Sequence, residues 1–374
     1  MICNEVDPQK TKRGQEVVLR DLDLDYISVI IPVFNGVQQG LDSVLKSVVN
    51  QNYKHMELIL VDDKSDDNSK ALMTQTISHC PRKITIIEHD INKGLSTSWN
   101  DGINRSVGNY ILLLQQDCVL ASLDTLQNAI QEIKETGSDV LVGTPKYDFK
   151  NLNSYQKIAE IRTSRILNRT NEDFTTVKFS ANKCDLLRRD VVKKIGLFDE
   201  RLFTVGEDWL FFLKAIGERL KLRNSMSLNY FNSLRGENTL PKLIQKERKY
   251  GMYVLPIYLL SRRYSKQNST RLDSLKDARN QIHSRILNIA FPAFSILFVT
   301  TSLLFPAMVM VLMLLLGLWG ITNFKKYFLI SRAISNLRLS PFFATILSYA
   351  LDFVYFIGLV GSLIHIIQLV RVSK

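Results

Sequence analysis

The chain has 374 residues, 46% of them hydrophobic, with 48 Lys and Arg against 36 Asp and Glu and a formal net charge of +12. Four scattered cysteines without CxxC spacing argue against a disulfide scaffold or a zinc cluster, and no zinc-finger, helix-turn-helix or aromatic RNA-binding signature accompanies the basic excess, so no nucleic-acid partner is expected. The mean hydropathy of +0.00 averages two unlike halves: residues up to about 240 read as a soluble domain, and residues 286–370 are dominated by apolar runs.

In chain order, residues 1–24 are a polar lead-in with no apolar core of signal-peptide length, which places the following domain on the cytoplasmic side. Residues 27–33 form a continuous apolar strand, as expected when both faces are covered. A helix follows over 41–49, then strands at 56–61, 84–88, 110–114 and 140–143, separated by helices at 67–78, 96–106 and 123–136. Strands alternating with helices of this length predict an α/β, doubly wound, mostly parallel sheet. Beyond residue 145 the pattern is irregular, with a strand expected over 179–187, a short helix ended by Gly196 and another helix over 207–216. This domain is bounded at 25–240.

Residues 241–285 carry eleven Lys or Arg and three acids. A basic block directly before apolar spans reads as juxtamembrane, interfacial helices under the positive-inside rule. Residues 286–370 are expected to hold about three membrane spans, 286–304, 307–322 and 342–370, with Pro306 at the first turn. A multi-pass protein of the cell membrane with a cytoplasmic catalytic domain follows. Asp352, inside the third span, is a candidate functional acid or a headgroup-level residue.

Ligands bind outside the carboxyl ends of strands in an open parallel sheet. Asn35, Asp62, Asp63 and Asp117 are thereby predicted along one rim. Carboxylates there suit a hard divalent ion carrying a diphosphate, and one or two acids suffice for a magnesium-type site. Asp117, at the end of Gln115-Gln116-Asp117, is the candidate metal ligand for Mg²⁺ or Mn²⁺. Glu207 and Asp208 suit the first turn of a helix, and either carboxylate can serve as a general base toward a hydroxyl; Asp208 is preferred. Lys93 and Gly94 are candidates to approach phosphate. Asn182 and Lys183 are weaker candidates, which a plain edge strand explains equally well. Gln245, Arg248, Lys249 and Tyr250 fit a diphosphate-holding set or an interfacial helix. The five histidines show no ligand spacing.

Taken together, ISVIIPVFN, SVVNQNYKHMELILVDDKSDDNS, NKGLSTSWNDGI, YILLLQQDCVL and KKIGLFDERLF with GEDW resemble, in order, segments of glycosyltransferase family 2, the inverting type with a GT-A fold. The resemblance runs from about residue 27 to 216. It implies that Pro32, Phe34, Asp62 and Asp63, with Asn35, Lys93, Gly94 and Gln116 beside them, hold a nucleotide-diphosphate sugar. It further implies that Asp117, last acid of the DxD position, binds the metal and that Asp208 of the Glu207–Asp208 pair is the base. Asn182 and Arg248 are candidates on the acceptor or diphosphate side. Gln115 replaces the first acid of DxD, as in rhamnosyltransferase-like members. Gln245–Tyr250 only loosely resembles the QxxRW motif of processive synthases. The expected partner is therefore a lipid-linked or membrane-proximal glycan acceptor receiving a single sugar. A polyprenyl- or dolichyl-phosphate sugar synthase and a non-catalytic scaffold with a degenerate transferase domain are the alternatives.

Overall fold

The computed structural model describes residues 25–78, 80–146, 152–159, 183–203, 205–232, 238–267 and a few positions between 350 and 361. The lead-in 1–24, residue Asn182, Asp352, the first two expected spans and most of the third lie outside the described residues. Among those described, no helix is long and apolar enough to cross a membrane.

Strand β1 (Ile27–Val33) is buried at every position, as is β2 (Met56–Asp62). Their unbroken apolar runs fit strands covered on both faces. Helix α1 (Leu41–Val49) joins them. Next come α2 (Ser69–Ser78), β3 (Lys83–Glu88), α3 (Leu95–Arg105), β4 (Tyr110–Leu114), the short β5 (Cys118–Leu120) and α4 (Thr125–Thr136). The chain continues through β6 (Val140–Lys146), β7 (Cys184–Arg188), α5 (Arg189–Ile195), α6 (Glu207–Gly217), β8 (Leu222–Asn232) and the 28-residue α7 (Leu240–Gln267).

The eight described strands form one sheet in the order β3-β2-β1-β4-β7-β6-β8-β5. The first four are parallel, as the alternation of strands and helices predicts. From β7 onward the sheet is mixed, so the expected parallel arrangement holds for β3-β2-β1-β4 and for β6-β8. Strand β7 runs antiparallel to both β4 and β6, β6 and β8 are parallel, and β5 closes antiparallel on β8. The expected strand at 179–187 is found later, at Cys184–Arg188, and the 140–143 strand extends to Lys146.

Side chains of alternate residues enter separate cores, the period-two consequence of the pleat. Val29, Ile31 and Val33 join α1, α2 and α4 on one face; Ile30 joins α3, α5 and α6 on the other. The second core contains an aromatic stack in which Phe198 lies on Phe211 with centroids 4.2 Å apart, and Trp99 stacks beyond Phe198 at 6.2 Å. Asn100 on α3 secures the same segment, accepting from Phe198 N (2.9 Å) and donating to Phe198 O (3.0 Å) and Glu200 (2.9 Å).

One buried carboxylate ties the central strands together. Glu57 on β2 accepts from Ser28 Oγ (2.8 Å), Val107 N (2.8 Å) and Lys83 Nζ (2.7 Å), and its side chain is almost wholly enclosed. Removing it strands two buried donors. Glu57→Ala is expected to cost on the order of 3 kcal/mol, read as a lowered denaturation midpoint in urea at unchanged slope.

Candidate active site

The carboxyl ends of β1, β2 and β4 form the rim. The loops after β1 and β2 are laced together there. Asn35, at a positive φ of 49°, donates its N–H to Ser65 Oγ (3.0 Å) and accepts from Asp66 N (2.8 Å). Gly36 N donates to Ser69 Oγ and Val37 N to Asp67. Gln116 makes a two-way amide pair with the backbone of Phe34, both bonds 2.9 Å, so the β4 end is fastened to the β1 end. Pro32 is enclosed within β1, while the Phe34 ring beside it is 41% exposed.

The adjacent acids Asp62 and Asp63 have different surroundings. Asp62 accepts the Ser65 N–H at 3.3 Å. Asp63 is filled by its own protein: Lys93 N (2.7 Å) and Gly94 N (2.9 Å) donate to its two oxygens, and His89 Nδ1 lies 2.8 Å from Oδ1. The other His89 nitrogen lies 2.9 Å from Asp101. The imidazole thus bridges the two carboxylates. Lys93 and Gly94 thus meet Asp63 through their main chain. His89 and Asp101 were not singled out from sequence, because histidine spacing alone gives no signal. The strand-end rule applied to β3 does: Asp62 pairs in register with Glu88, which sets His89 beside Asp63.

Gly94 (φ 87°) opens α3, and a Cβ there would lie 2.5 Å from both the ring and the carbonyl oxygen of Phe203. Leu95 N donates to that carbonyl at 2.8 Å, and Ser96 Oγ donates to Leu202 O. The Asp63-anchored loop is therefore packed directly on the segment leading to α6. Gly206 (φ 89°) caps α6; a Cβ there would collide with Ile257 of α7 at 2.1 Å. Both positions combine left-handed backbone with close packing, which only glycine satisfies.

Asp117 and the α6 acids share one electrostatic neighbourhood. Antiparallel β7 begins beside the end of β4, with Gln115 N donating to Lys183 O (2.9 Å). This brings the Lys183 ammonium to 3.0 Å from the Asp117 carboxylate. Burial pushes the Asp117 pKa up, but the Lys183 charge and hydrogen bond outweigh it and hold the group below the usual range, with Lys246 of α7 adding to the effect. Glu207 is 4% exposed and one of its oxygens has no hydrogen-bond partner. Burial first, and the Asp208 charge second, raise its pKa to about 8, against the pull of Lys249 and Lys183. Desolvation lowers the Lys249 ammonium, and Glu207 pulls it back up. Asp208 Oδ1 accepts from Trp209 N at 2.6 Å. Arg248, also on α7, is exposed. Through residue 267 the 241–285 block is one helix whose Lys246 and Lys249 act on the site; residues 268–285 lie outside the described residues.

Asp117 offers a single carboxylate, and no group of three or more His, Cys, Asp or Glu able to hold a metal exists among the described residues. That donor set fits a Mg²⁺- or Mn²⁺-type ion completing its shell with diphosphate oxygens and water.

The raised Glu207 pKa carries a stability consequence. Between its ordinary value of 4.5 and about 8, the unfolded chain ionises Glu207 while the folded protein keeps it protonated. The unfolded state then binds fewer protons, so this contribution to stability falls as pH rises through that window. Glu207→Gln removes the dependence. The melting temperature of the variant relative to wild type is expected to climb from pH 4.5 to 8 in paired thermal scans; a flat difference would contradict the assignment.

Residues 28–196 match the model of the family described as Glycosyl transferase family 2. Glycosyltransferase GlyG of Streptococcus pneumoniae serotype 4 is 26% identical over 190 residues, covering 49% of this chain and 61% of that protein. A GalNAc(5)-diNAcBac-PP-undecaprenol beta-1,3-glucosyltransferase of Campylobacter jejuni is 31% identical over 108 residues, 28% of this chain and 35% of that one. The chain spans less than two thirds of the length of either relative. Among solved structures, the mannosyltransferase PcManGT from Pyrobaculum calidifontis, in complex with GDP-Man and Mn²⁺, superposes with a TM-score of 0.56 over 95% of this chain and 94% of that one, at 12% identity. The superposition shows a GT-A-like α/β fold, and the stretch 28–196 is similar to glycosyl transferase family 2.

Proposed function

We propose that the protein is a membrane-anchored inverting glycosyltransferase. It moves a sugar from a nucleotide-sugar to a hydroxyl of a membrane-associated, lipid-linked glycan acceptor in the assembly of cell-surface polysaccharide or glycoconjugate. The supporting observation is the shared Lys183: it pairs with Asp117 at the β4 rim and lies within Coulombic reach of Glu207 at the head of α6. A diphosphate-side acid and the candidate base pair are thus brought to one place. The relatives' names support the activity, and the undecaprenol-linked acceptor in one of them supports the acceptor class. The basic block and the apolar segments of 286–370 support anchoring, with the catalytic domain in the cytoplasm.

In this mechanism the nucleotide lies against the exposed Phe34 ring and Asp62, on a floor set by the Asp63-anchored loop. Asp208 takes the proton of the acceptor hydroxyl, whose oxygen attacks the anomeric carbon in line. The glycosidic C–O bond to the diphosphate breaks with inversion. Lys183, Lys246 and Lys249, with Arg248 beside them, offset the charge that collects on the leaving nucleoside diphosphate. Asp117 would hold Mg²⁺ or Mn²⁺, which supplies further charge compensation for that leaving group. Burial and the neighbouring Asp208 charge hold the Glu207 carboxyl well above the usual range. Gln115 in the first DxD position is consistent with the rhamnosyltransferase-like resemblance and with a single metal-binding carboxylate.

The decisive experiment follows release of nucleoside diphosphate by the full chain in native-like membranes across a panel of nucleotide-sugars, with Mg²⁺ or Mn²⁺ against chelator. Metal-dependent release is expected, and it is expected to vanish in Asp117→Ala. Nucleotide binding without release, unaffected by chelator, would favour the scaffold. Asp208→Asn is expected to lower the transfer rate about 100-fold or more at little change in donor KM. A much milder loss would point to direct transfer onto a lipid phosphate, which needs no hydroxyl base. Asp63→Asn turns one acceptor into a donor facing a backbone N–H, and should weaken nucleotide affinity about tenfold in calorimetric titration.

A further inference from the structure

A second cavity lies away from the rim, between the C-terminal halves of α6 and α7. It has a volume of about 300 Å³ and is lined by Ile195, Asp199, Arg201, Leu210, Lys214, Leu260, Arg263 and Tyr264. Three of these side chains are cationic and one is a carboxylate. That carboxylate is already engaged: Asp199 makes a two-pronged pair with Arg201 at 2.5 and 2.8 Å. Lys214 reaches only a backbone carbonyl, Leu197 O, at 3.3 Å, and neither Lys214 nor Arg263 forms an ion pair with any described residue. Burial lowers the Lys214 ammonium; Asp199 raises it and the neighbouring Arg201 charge lowers it further. Two cations and a fixed Arg–Asp fork therefore converge on the cavity, and Asp199 is the only carboxylate among its lining residues. The remaining walls, Ile195, Leu210 and Leu260, are apolar.

We propose that this cavity binds the phosphodiester headgroup of an anionic membrane lipid. A phosphodiester presents two anionic oxygens that match a lysine and an arginine through charge-assisted hydrogen bonds, and the apolar wall suits the glycerol and first methylenes beside them. A free phosphate would share the anionic chemistry but leave that wall unused. The position in the chain fits the lipid: the cavity takes Leu260, Arg263 and Tyr264 from the last two described turns of α7, and Gln267, its last described residue, stands less than twenty residues before the apolar segment that begins at Ile286. None of the lining residues belongs to the sugar-transfer machinery, so headgroup binding is separable from turnover.

The test measures the melting temperature of the purified full chain with dihexanoyl phosphatidylglycerol, dihexanoyl phosphatidylcholine or inorganic phosphate, each over a concentration series. Phosphatidylglycerol is expected to raise it, and the zwitterionic lipid is not. In the Lys214→Gln, Arg263→Gln double variant the apparent affinity should fall about tenfold or more. Arg262→Gln, which removes an exposed charge next to the cavity, should keep the wild-type response. Retained nucleotide binding shows that the double variant is folded. An unchanged response in the double variant, an equal loss in Arg262→Gln, or no response to phosphatidylglycerol would overturn the proposal. Inorganic phosphate matching the lipid at equal concentration would overturn the lipid assignment.

Discussion

The Asp63 carboxylate is the point on which the site's geometry turns. It sits at the end of a fully buried strand, so its position is set by the sheet and not by the loop it holds. Two main-chain N–H groups and one imidazole converge on it. A carboxylate receiving several donors in a dry setting is a strong and directional anchor. The loop it fixes opens α3, α3 grips the Phe198–Glu200 segment through Asn100, and the Phe203 carbonyl closes back on Leu95. The rim around Asp63 and the α6 acids are thereby parts of one mechanically continuous structure, although more than 140 residues separate Asp63 from Asp208 in sequence.

A second constraint is the reversal of direction at β7. Four parallel strands create a rim of strand ends, and an antiparallel neighbour adds a strand beginning to the same rim. Lys183 enters the site for that reason alone. The consequence is electrostatic. An acid at the rim receives an internal counter-charge, and the charges of α7 extend the field over the two α6 acids. One member of that pair, Glu207, is pushed toward the neutral form by burial and by the charge of its neighbour.

Much of this was legible in the sequence where burial imposes continuous apolar runs. The strands β1, β2, β3 and β4 and the acids at their ends fall where the runs stop, and the helices between them follow from apolar spacing. Strand β8 was not foreseen, because Leu222–Asn232 is rich in polar residues and lacks clean alternation; Glu132 of α4 pins it through Ser225 and Ser227 instead. Strand direction leaves no trace in periodicity, so the antiparallel β7 and the arrival of Lys183 were invisible. The charges of Gln245–Tyr250 admit both a diphosphate-holding and an interfacial reading, since a basic helix looks alike whether it meets lipid or a neighbouring carboxylate. His89 was passed over because its partners, Asp63 and Asp101, are joined to it only by the fold.

The anchor at Asp63 grips backbone amides, and backbone amides are common to every amino acid except proline. The side chain at position 93 is therefore no part of that grip. Substitution there changes what the loop presents to a ligand while its path stays fixed. A site built this way allows the ligand-facing surface to diversify between related proteins, or in a designed library, on an unaltered frame, with proline at 93 as the replacement that the anchor forbids.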